Sequence, residues 1–220
     1  MDGFRYAQFC PLARAAEILG ERWTLPLARE LMVGPQRFSD LRRRLPGLSS
    51  SVLATRLARL EALGVVTRSE LPPPAASMVY TLTEAGRGLE PVLREAMRWG
   101  LRFLGAPKAG DHIEADWVPL AFRFLARKQP TPARGFEVRV RAEPEPVRVC
   151  VRGGRGGTRV GEPGGPVDLT FSAPATVVLG LASGALDGMT TLHADAVSFE
   201  GDPEAIGDFP ALFDMSAASP

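Results

Sequence analysis

The sequence predicts an α+β protein in which a helix-rich N-terminal domain precedes a C-terminal α/β domain. Three observations lead to this class. Apolar residues recur at spacings of three and four up to residue 63, as one face of a helix requires. Apolar and polar residues alternate with a period of two in much of 136–172, which is typical of half-buried strands. Glycine, proline and charge at 105–111 indicate a linker, so we expect domains at 1–105 and 112–220.

Four helices are predicted in the N-terminal region. Ser39 is a candidate N-cap for the third helix, and Pro46-Gly47 forms the turn that follows it. Ser49 or Ser50 caps the fourth helix, which Gly64 ends. The predicted helices lie at residues 12–20, 23–33, 39–45 and 50–63.

Two β-rich runs follow, at residues 65–71 and 78–83, and the proline-rich residues PPPAAS between them suit the tip of a hairpin. Thr83 then opens one long helix over 84–104, although Gly86 and Gly88 weaken its first turn.

The C-terminal region alternates helices with short strands. Asp202 is expected to cap a closing helix, with Pro203 at its first position. The Gly-rich segment 153–165 is expected to include a short edge strand. The predicted helices lie at 117–128, 173–183 and 200–215, and the predicted strands at 136–142, 147–152, 167–172 and 194–199.

Charge and composition narrow the class of function. Residues 1–105 hold 15 Arg and 10 acidic residues, net +5, whereas residues 106–220 hold 11 basic and 15 acidic residues, net −4. A basic first half favours a polyanionic partner. We expect no membrane span, because no apolar run is long enough, and a reducing cytoplasm, because there are only two cysteines. The histidines lack metal-ligand spacing, so no metal, cofactor or enzymatic activity is expected.

Helix, Pro-Gly turn, helix and hairpin is the order of a winged helix-turn-helix, whose second helix enters the major groove of duplex DNA. The helix at 50–63 fits that role, since Leu53, Leu57 and Leu60 share one face. We expect Ala54 and Ala58 to point outward with the candidate DNA-binding residues Ser50, Ser51, Thr55 and Arg59, and Arg56 to lie at the edge.

Further arginines flank this helix. Arg42, Arg43 and Arg44 precede the turn and Arg68 lies in the hairpin, so together they are expected to form a basic rim that contacts phosphates. The alternative is that they are solvated side chains with no partner.

The region 9–104 resembles the HxlR family of winged helix regulators. The resemblance rests on a Cys-Pro start, Trp-Thr before the second helix, RFSDLRR, PGLS, LxxRLxxLExxG and YxLTExG. It implies a homodimer that binds a near-palindromic operator. The dimer contacts would come from residues 4–19 and 87–104, with Trp99 and Phe103 as candidate anchors or core residues.

Cys10 matches a cysteine that senses thiol-reactive compounds or oxidants in some members of that family. It precedes Pro11 at a predicted helix start, where the helix dipole favours a thiolate. The alternative is a small, inert side chain at an interface.

Residues 116–216 resemble sterol-carrier-protein-like domains, through a strand, a helix, a Gly-Ala-Leu turn, a strand and Glu-Gly-Asp-Pro before the closing segment. This implies an α/β layer with an apolar cavity for a small molecule or lipid. The candidate ligand-binding residues, each of which could equally be core, are Phe122, Leu125, Val178, Leu181, Leu192, Phe209 and Phe213.

The sequence and its resemblances therefore predict a DNA-binding regulator, a homodimeric repressor whose C-terminal domain senses an apolar small molecule. One alternative is that the C-terminal domain is a structural or protein-interaction module, with regulation through Cys10 or expression level. Another is a lipid carrier that does not bind DNA.

Overall fold

The computed structural model describes residues 5–72, 74, 76–105, 108 and 110–215. By the density of their contacts the residues divide into two compact units, residues 1–93 and 94–220. The domain limits predicted at 105 and 112 stay a prediction, and three residues of the predicted linker, 106, 107 and 109, lie outside the described residues. Within the described residues, no helix is both long and apolar enough to cross a membrane.

Four helices open the first unit, as predicted. They are α1 (Pro11–Leu19), α2 (Thr24–Val33), α3 (Phe38–Arg44) and α4 (Ser50–Ala62). The Ser49 hydroxyl accepts a hydrogen bond from the Val52 amide at 3.3 Å, which confirms Ser49 as the N-cap of α4. The expectation for Ser39 is wrong, because α3 begins at Phe38 and Arg37 is its N-cap.

Leucines from all three of the later helices form the core of this unit. Leu27, Leu41 and Leu53 are completely buried, and Leu31, Leu57 and Leu60 pack with them. The spacing of three or four residues places these leucines on the inward faces of α2, α3 and α4. One apolar cluster therefore packs α2, α3 and α4 together.

A two-stranded hairpin, called the wing below, follows α4. Strands β1 (Val66–Glu70) and β2 (Met78–Leu82) pair antiparallel, with Val66 opposite Leu82. Gln36 adds a bridge to Tyr80 through two backbone hydrogen bonds of 2.8 and 3.1 Å. The predicted proline-rich tip includes residues 73 and 75, which lie outside the described residues.

The single helix predicted over 84–104 is wrong. The segment forms α5 (Glu84–Arg87), α6 (Glu90–Gly100) and a 3₁₀ turn at Leu101–Phe103. Gly86 packs so closely on the Val65 carbonyl oxygen that a Cβ would lie 2.1 Å from it. That contact fixes α5 against Val65, directly before the wing, and α6 begins separately at Glu90.

The second unit contains a five-stranded mixed sheet. Its strands are β3 (Gly135–Val140), β4 (Val147–Arg152), β5 (Arg159–Gly161), β6 (Leu169–Ala173) and β7 (Ser198–Gly201). Their order in the sheet is β5-β4-β3-β6-β7, with β3 and β6 parallel and the other neighbours antiparallel. The edge strand expected in the Gly-rich segment is confirmed as β5.

Helices α7 (Trp117–Leu125), α8 (Ala175–Ser183) and α9 (Gly188–Leu192) accompany the sheet. The strand predicted at 194–199 is observed further along the chain as β7, and α9 was not predicted. The closing α-helix is also wrong, because Pro203–Asp208 and Pro210–Leu212 are 3₁₀ segments. Asp202 nevertheless caps the first of them, accepting from the Glu204 amide at 3.0 Å.

Candidate nucleic-acid interface

The orientation predicted for α4 is confirmed. Leu53, Leu57 and Leu60 are no more than 4% exposed, so they face the core. The opposite face carries only small or short side chains, and each of them is exposed: Ser50, Ser51, Ala54, Thr55 and Ala58. The first two turns of this face border a shallow depression lined by Ser51, Val52, Thr55 and Arg56. Such a surface lets a partner approach the helix backbone closely.

The turn between α3 and α4 depends on one glycine. Gly47 has a φ of +85°, a conformation that other residues adopt only with strain. Leu45 and Leu48 on either side are buried, and a Cβ on Gly47 would lie 3.7 Å from the Trp23 ring. The side chains around the turn thus anchor it, which fixes the angle at which α4 leaves α3.

A buried ion pair joins α2 to α3 and corrects the predicted basic rim. The Arg44 guanidinium donates from Nε to Glu30 Oε2 at 2.6 Å, and both side chains are 6% exposed or less. Arg29 binds the other oxygen of the same carboxylate. Arg44 therefore does not belong to the exposed rim, because its charge is used inside the protein.

Arg56 and Arg59 of α4 share one carboxylate, that of Glu21 at the corner between α1 and α2. Arg59 also donates from Nη2 to the Glu17 carbonyl at 3.0 Å. Their side chains are only 18% and 26% exposed. The expectation that Arg59 points freely outward is therefore corrected. Whether Arg56 or Arg59 touches DNA stays a prediction.

The remaining predicted rim residues lie on the surface. Arg42 and Arg43 are exposed in the last turn of α3, just before the turn that leads to α4. Arg68 is exposed in β1 and donates from Nε to Glu61 at 3.1 Å. This hydrogen bond is the main reason why the pKa of Arg68 is raised above its ordinary value.

The N-terminal segment is tied to α1 by Glu17. Its carboxylate accepts hydrogen bonds from Arg14 and from the Tyr6 amide, both at 2.8 Å, and these hydrogen bonds lower the pKa of Glu17. Cys10 is the N-cap residue of α1 and is partly exposed, with no cap hydrogen bond from its side chain. A free thiol therefore lies where the segment meets the helix.

The candidate ligand-binding residues of the second unit form a packed core. Phe122, Leu125, Val178, Leu181, Leu192, Phe209 and Phe213 are each no more than 1% exposed. The Phe122 and Phe213 rings stack at 4.4 Å between centroids, and Phe209 lies edge-on to both at 5.8 and 5.3 Å. Rings at these separations are in direct contact, so no ligand fits between them without moving one.

Two carboxylates that pair with arginines of α3 and α4 were not identified from the sequence. Glu30 is 14 positions from Arg44, and Glu21 is 38 positions from Arg59. Neither separation places the two residues side by side on one helix, so each pair forms only after the helices pack. The one available signal was Glu30 itself, a charge within the apolar run of α2.

Comparisons with known proteins agree with both sequence resemblances. Residues 18–108 match the family described as HxlR-like helix-turn-helix, and residues 125–214 match the SCP-2 sterol transfer family. The uncharacterized HTH-type transcriptional regulator YvaP of Bacillus subtilis is 37% identical over 99 residues, which cover 44% of this chain and 92% of YvaP. The HTH-type transcriptional regulator YodB of the same bacterium is 38% identical over 95 residues, 43% of this chain and 85% of YodB.

The solved structure of YodB in its reduced form shares 37% identity and covers 44% of this chain and 97% of its own, with a TM-score of 0.38. All of these proteins match less than half of this chain.

Proposed function

Because the chain belongs to the HxlR-like helix-turn-helix family, we propose that it binds a near-palindromic operator as a homodimer and regulates transcription in response to an apolar small molecule. The chain is a winged-helix transcription regulator with an SCP-2 domain, and its named relatives are regulators rather than enzymes. The dimer, the operator and the ligand are the proposed part.

The outer face of α4 is the observation that carries the DNA-binding proposal. Its exposed side chains are serines, Thr55 and alanines, which are small enough to let the helix enter a major groove. Arg42 and Arg43 on one side and Arg68 in the wing supply charge for phosphates beside the groove. These contacts would place the N-terminal turn of α4 at the base edges, as in other helix-turn-helix proteins.

Selection from a pool of random duplexes with the full chain tests the operator. We expect enrichment of one half-site repeated with near-twofold symmetry, its centres about 34–36 Å apart along the duplex. Recovery of single, unpaired half-sites would argue against a dimer. Recovery of no sequence at all, with no salt-dependent binding of any duplex, would contradict the DNA-binding proposal.

Exposed apolar side chains support the homodimer. Phe9 is fully exposed in the N-terminal segment and Leu12 is 77% exposed in α1. Trp99 in α6 and Phe103 in the 3₁₀ turn after it are 64% and 68% exposed. Large apolar groups on a surface commonly mark an interface. Sedimentation velocity should show a dimer, and Leu12→Glu should give a monomer that binds duplex weakly. A parent chain that is monomeric at all concentrations would contradict the proposal.

The match of residues 125–214 to the SCP-2 sterol transfer family supports the apolar ligand. Since Phe122, Phe209 and Phe213 are in contact, a ligand must separate their rings in order to enter. We expect calorimetry against sterols, fatty acids and phospholipids to show that one of them binds. Operator affinity measured with and without that lipid should then differ. A ligand can change operator affinity only if its own affinity differs between the DNA-competent and DNA-incompetent states.

The same ring contacts favour a second candidate function, in which the C-terminal domain is a structural or protein-interaction module. A chain truncated after residue 105 distinguishes the two. If the full chain and the short chain regulate equally with and without the lipid panel, the structural module is correct. If the short chain loses a response that the full chain shows, the sensor is correct.

A further inference from the structure

In the described residues of the second unit, the β-sheet has one apolar face that is buried and one largely polar face. Apolar side chains of β3, β4 and β6, among them Phe136, Val149 and Phe171, point to the buried face. The alternate positions form the opposite face, called the outer face below. In the described strands it carries Arg139, Arg148, Arg152, Arg159, Glu137, Cys150, Thr170, Ser172, Ser198 and Glu200.

The arginines of this face lie directly opposite one another. Arg139 faces Arg148 across β3 and β4, and Arg152 faces Arg159 across β4 and β5. Directly opposed side chains have Cβ atoms about 4.5–5.5 Å apart, and like charges at that position destabilise a sheet. Such a pair therefore costs the fold stability unless an acceptor compensates its charge.

One carboxylate compensates only the first pair. Glu137 accepts hydrogen bonds from Arg139 at 2.9 Å and from Arg148 at 2.8 Å. The second pair has no ion-pair partner among the described residues: Arg152 donates to the Gly164 and Pro166 carbonyls, and Arg159 is exposed. Arg141 continues the alternation of β3, is exposed, and donates to the carbonyls of Ser172 and Ala196.

The result is a strong local concentration of positive charge. Five of the 11 basic residues of 106–220 lie on or beside this face, although that region has a net charge of −4. Glu137 and Glu200 are the acidic residues of its strands, and Asp168 and Asp202, directly beside β6 and β7, both bind Arg134. An anionic partner would lower the repulsion that the opposed arginines create.

The other side chains of the outer face indicate which class of anionic partner fits it. Exposed aromatic residues, on which single-stranded bases stack, are absent from the outer-face positions of the described strands, and so are exposed apolar residues that could enter a membrane. The hydroxyls of Thr170, Ser172 and Ser198 are groups that commonly donate to phosphate oxygens. This combination fits the backbone of a duplex.

We propose that the outer face of this sheet is a second contact surface for double-stranded DNA, which binds phosphates without reading sequence. The proposal goes beyond the winged-helix contact and rests on the chain being a DNA-binding regulator. Attachment to a DNA-bound winged domain would raise the effective concentration of this surface near the duplex. The C-terminal domain would then add affinity and salt dependence rather than specificity.

The test compares two double variants of the full chain. Arg148→Gln with Arg159→Gln removes one arginine from each opposed pair and leaves Arg139 paired with Glu137, so the fold should stay intact. Arg123→Gln with Lys128→Gln makes the same change in charge at exposed positions in and just after α7, whose apolar side chains belong to the core on the buried side of the sheet. Both are measured by fluorescence anisotropy on a mixed-sequence duplex of about 45 base pairs, across a salt series.

We expect the sheet variant to lower the slope of log K against log salt by about 1–2, since each lost phosphate contact removes about 0.9. Its affinity at low salt should fall roughly tenfold, whereas the α7 variant should match the parent chain. Equal slopes for all three proteins would overturn this proposal while leaving the α4 contact in place. A parent chain that does not bind the duplex would instead contradict the DNA-binding function itself.

A second arm uses vesicles of phosphatidylcholine and phosphatidylglycerol. Loss of vesicle binding in the sheet variant, with duplex binding unchanged, would show a surface for anionic membranes and would overturn the DNA proposal. Unchanged vesicle binding together with a lower duplex slope would support it.

Discussion

The guanidinium of Arg59 on α4 forms an ion pair with the carboxylate of Glu21, 38 positions earlier in the chain. Arg56 binds the second oxygen of the same carboxylate. A single acidic side chain thus holds two arginines of the helix that is proposed to read DNA. It competes with any phosphate for them.

The first prediction concerns this carboxylate. Glu21→Gln should release Arg56 and Arg59 toward the duplex, so affinity for duplexes of every sequence should rise at low salt. The slope of log K against log salt should steepen by about 1–2, one step of 0.9 for each new phosphate contact. Fluorescence anisotropy with the full chain measures both quantities.

Glu84→Gln is the matched control, because Glu84 is exposed in α5 and loses the same charge. Weaker binding by Glu21→Gln than by Glu84→Gln would show that Glu21 orients the two arginines for DNA instead of withholding them.

A second prediction concerns the operator itself. If Arg59 reads a base, Arg59→Ala should cost roughly 1–3 kcal/mol of operator affinity and relax the preference at one base pair. Arg43→Ala should weaken binding to all sequences alike, because a phosphate contact carries no sequence information. Competition with single-base operator variants separates the two effects. Unchanged affinity in Arg59→Ala would remove Arg59 from the interface.

A third prediction tests the buried ion pair between α2 and α3. Glu30→Ala leaves the Arg44 guanidinium buried without this carboxylate, which should cost about 3–5 kcal/mol of unfolding free energy. Arg29→Ala should cost less, since Arg29 is 27% exposed and water can replace its contact. Urea unfolding of the full chain gives both values. Equal losses for the two variants would contradict the role assigned to the pair.

A fourth prediction follows from the lowered pKa of Glu17. Because its hydrogen bonds to Arg14 and the Tyr6 amide favour the carboxylate, Glu17 adds stability above its ordinary pKa of 4.5 and loses it as the pH falls through the lowered value. Glu17→Gln should therefore melt below the parent at pH 7, and the difference should shrink under acid conditions near pH 3. A difference that is constant with pH would contradict this account.

The sequence was sufficient for elements whose signals are local. The Ser49 cap, the Pro46-Gly47 turn and the leucine spacing of α4 lie within 15 residues of one another, and the structure confirms them. The break between α5 and α6 was missed because it depends on Gly86 packing on Val65, a contact formed by the fold. The 3₁₀ segments after Asp202 were missed because Gly207 and Pro210 interrupt a pattern that otherwise resembles a helix.

For the interface, the pattern of α4 identified which positions are exposed but not how the long side chains are used. Thr55 and Ser51 are short, so their direction follows from the helix alone. Arg59 and Arg44 reach several ångströms from the backbone, and their partners come from helices that sequence separation does not reveal. Charge by itself therefore overestimated the exposed basic surface.

The claim on which the account depends is that the outer face of α4 contacts duplex DNA, and Thr55→Asp tests it most directly. Thr55 is exposed and its hydroxyl bonds only locally, donating to the Ser51 carbonyl at 2.9 Å, so the fold should tolerate the change. Ala85→Asp adds the same charge at an exposed position of α5. In fluorescence anisotropy on the selected operator, Thr55→Asp should lose at least about tenfold in affinity through repulsion of the phosphates, and Ala85→Asp should bind like the parent chain. Operator binding by Thr55→Asp that equals that of Ala85→Asp would contradict the claim.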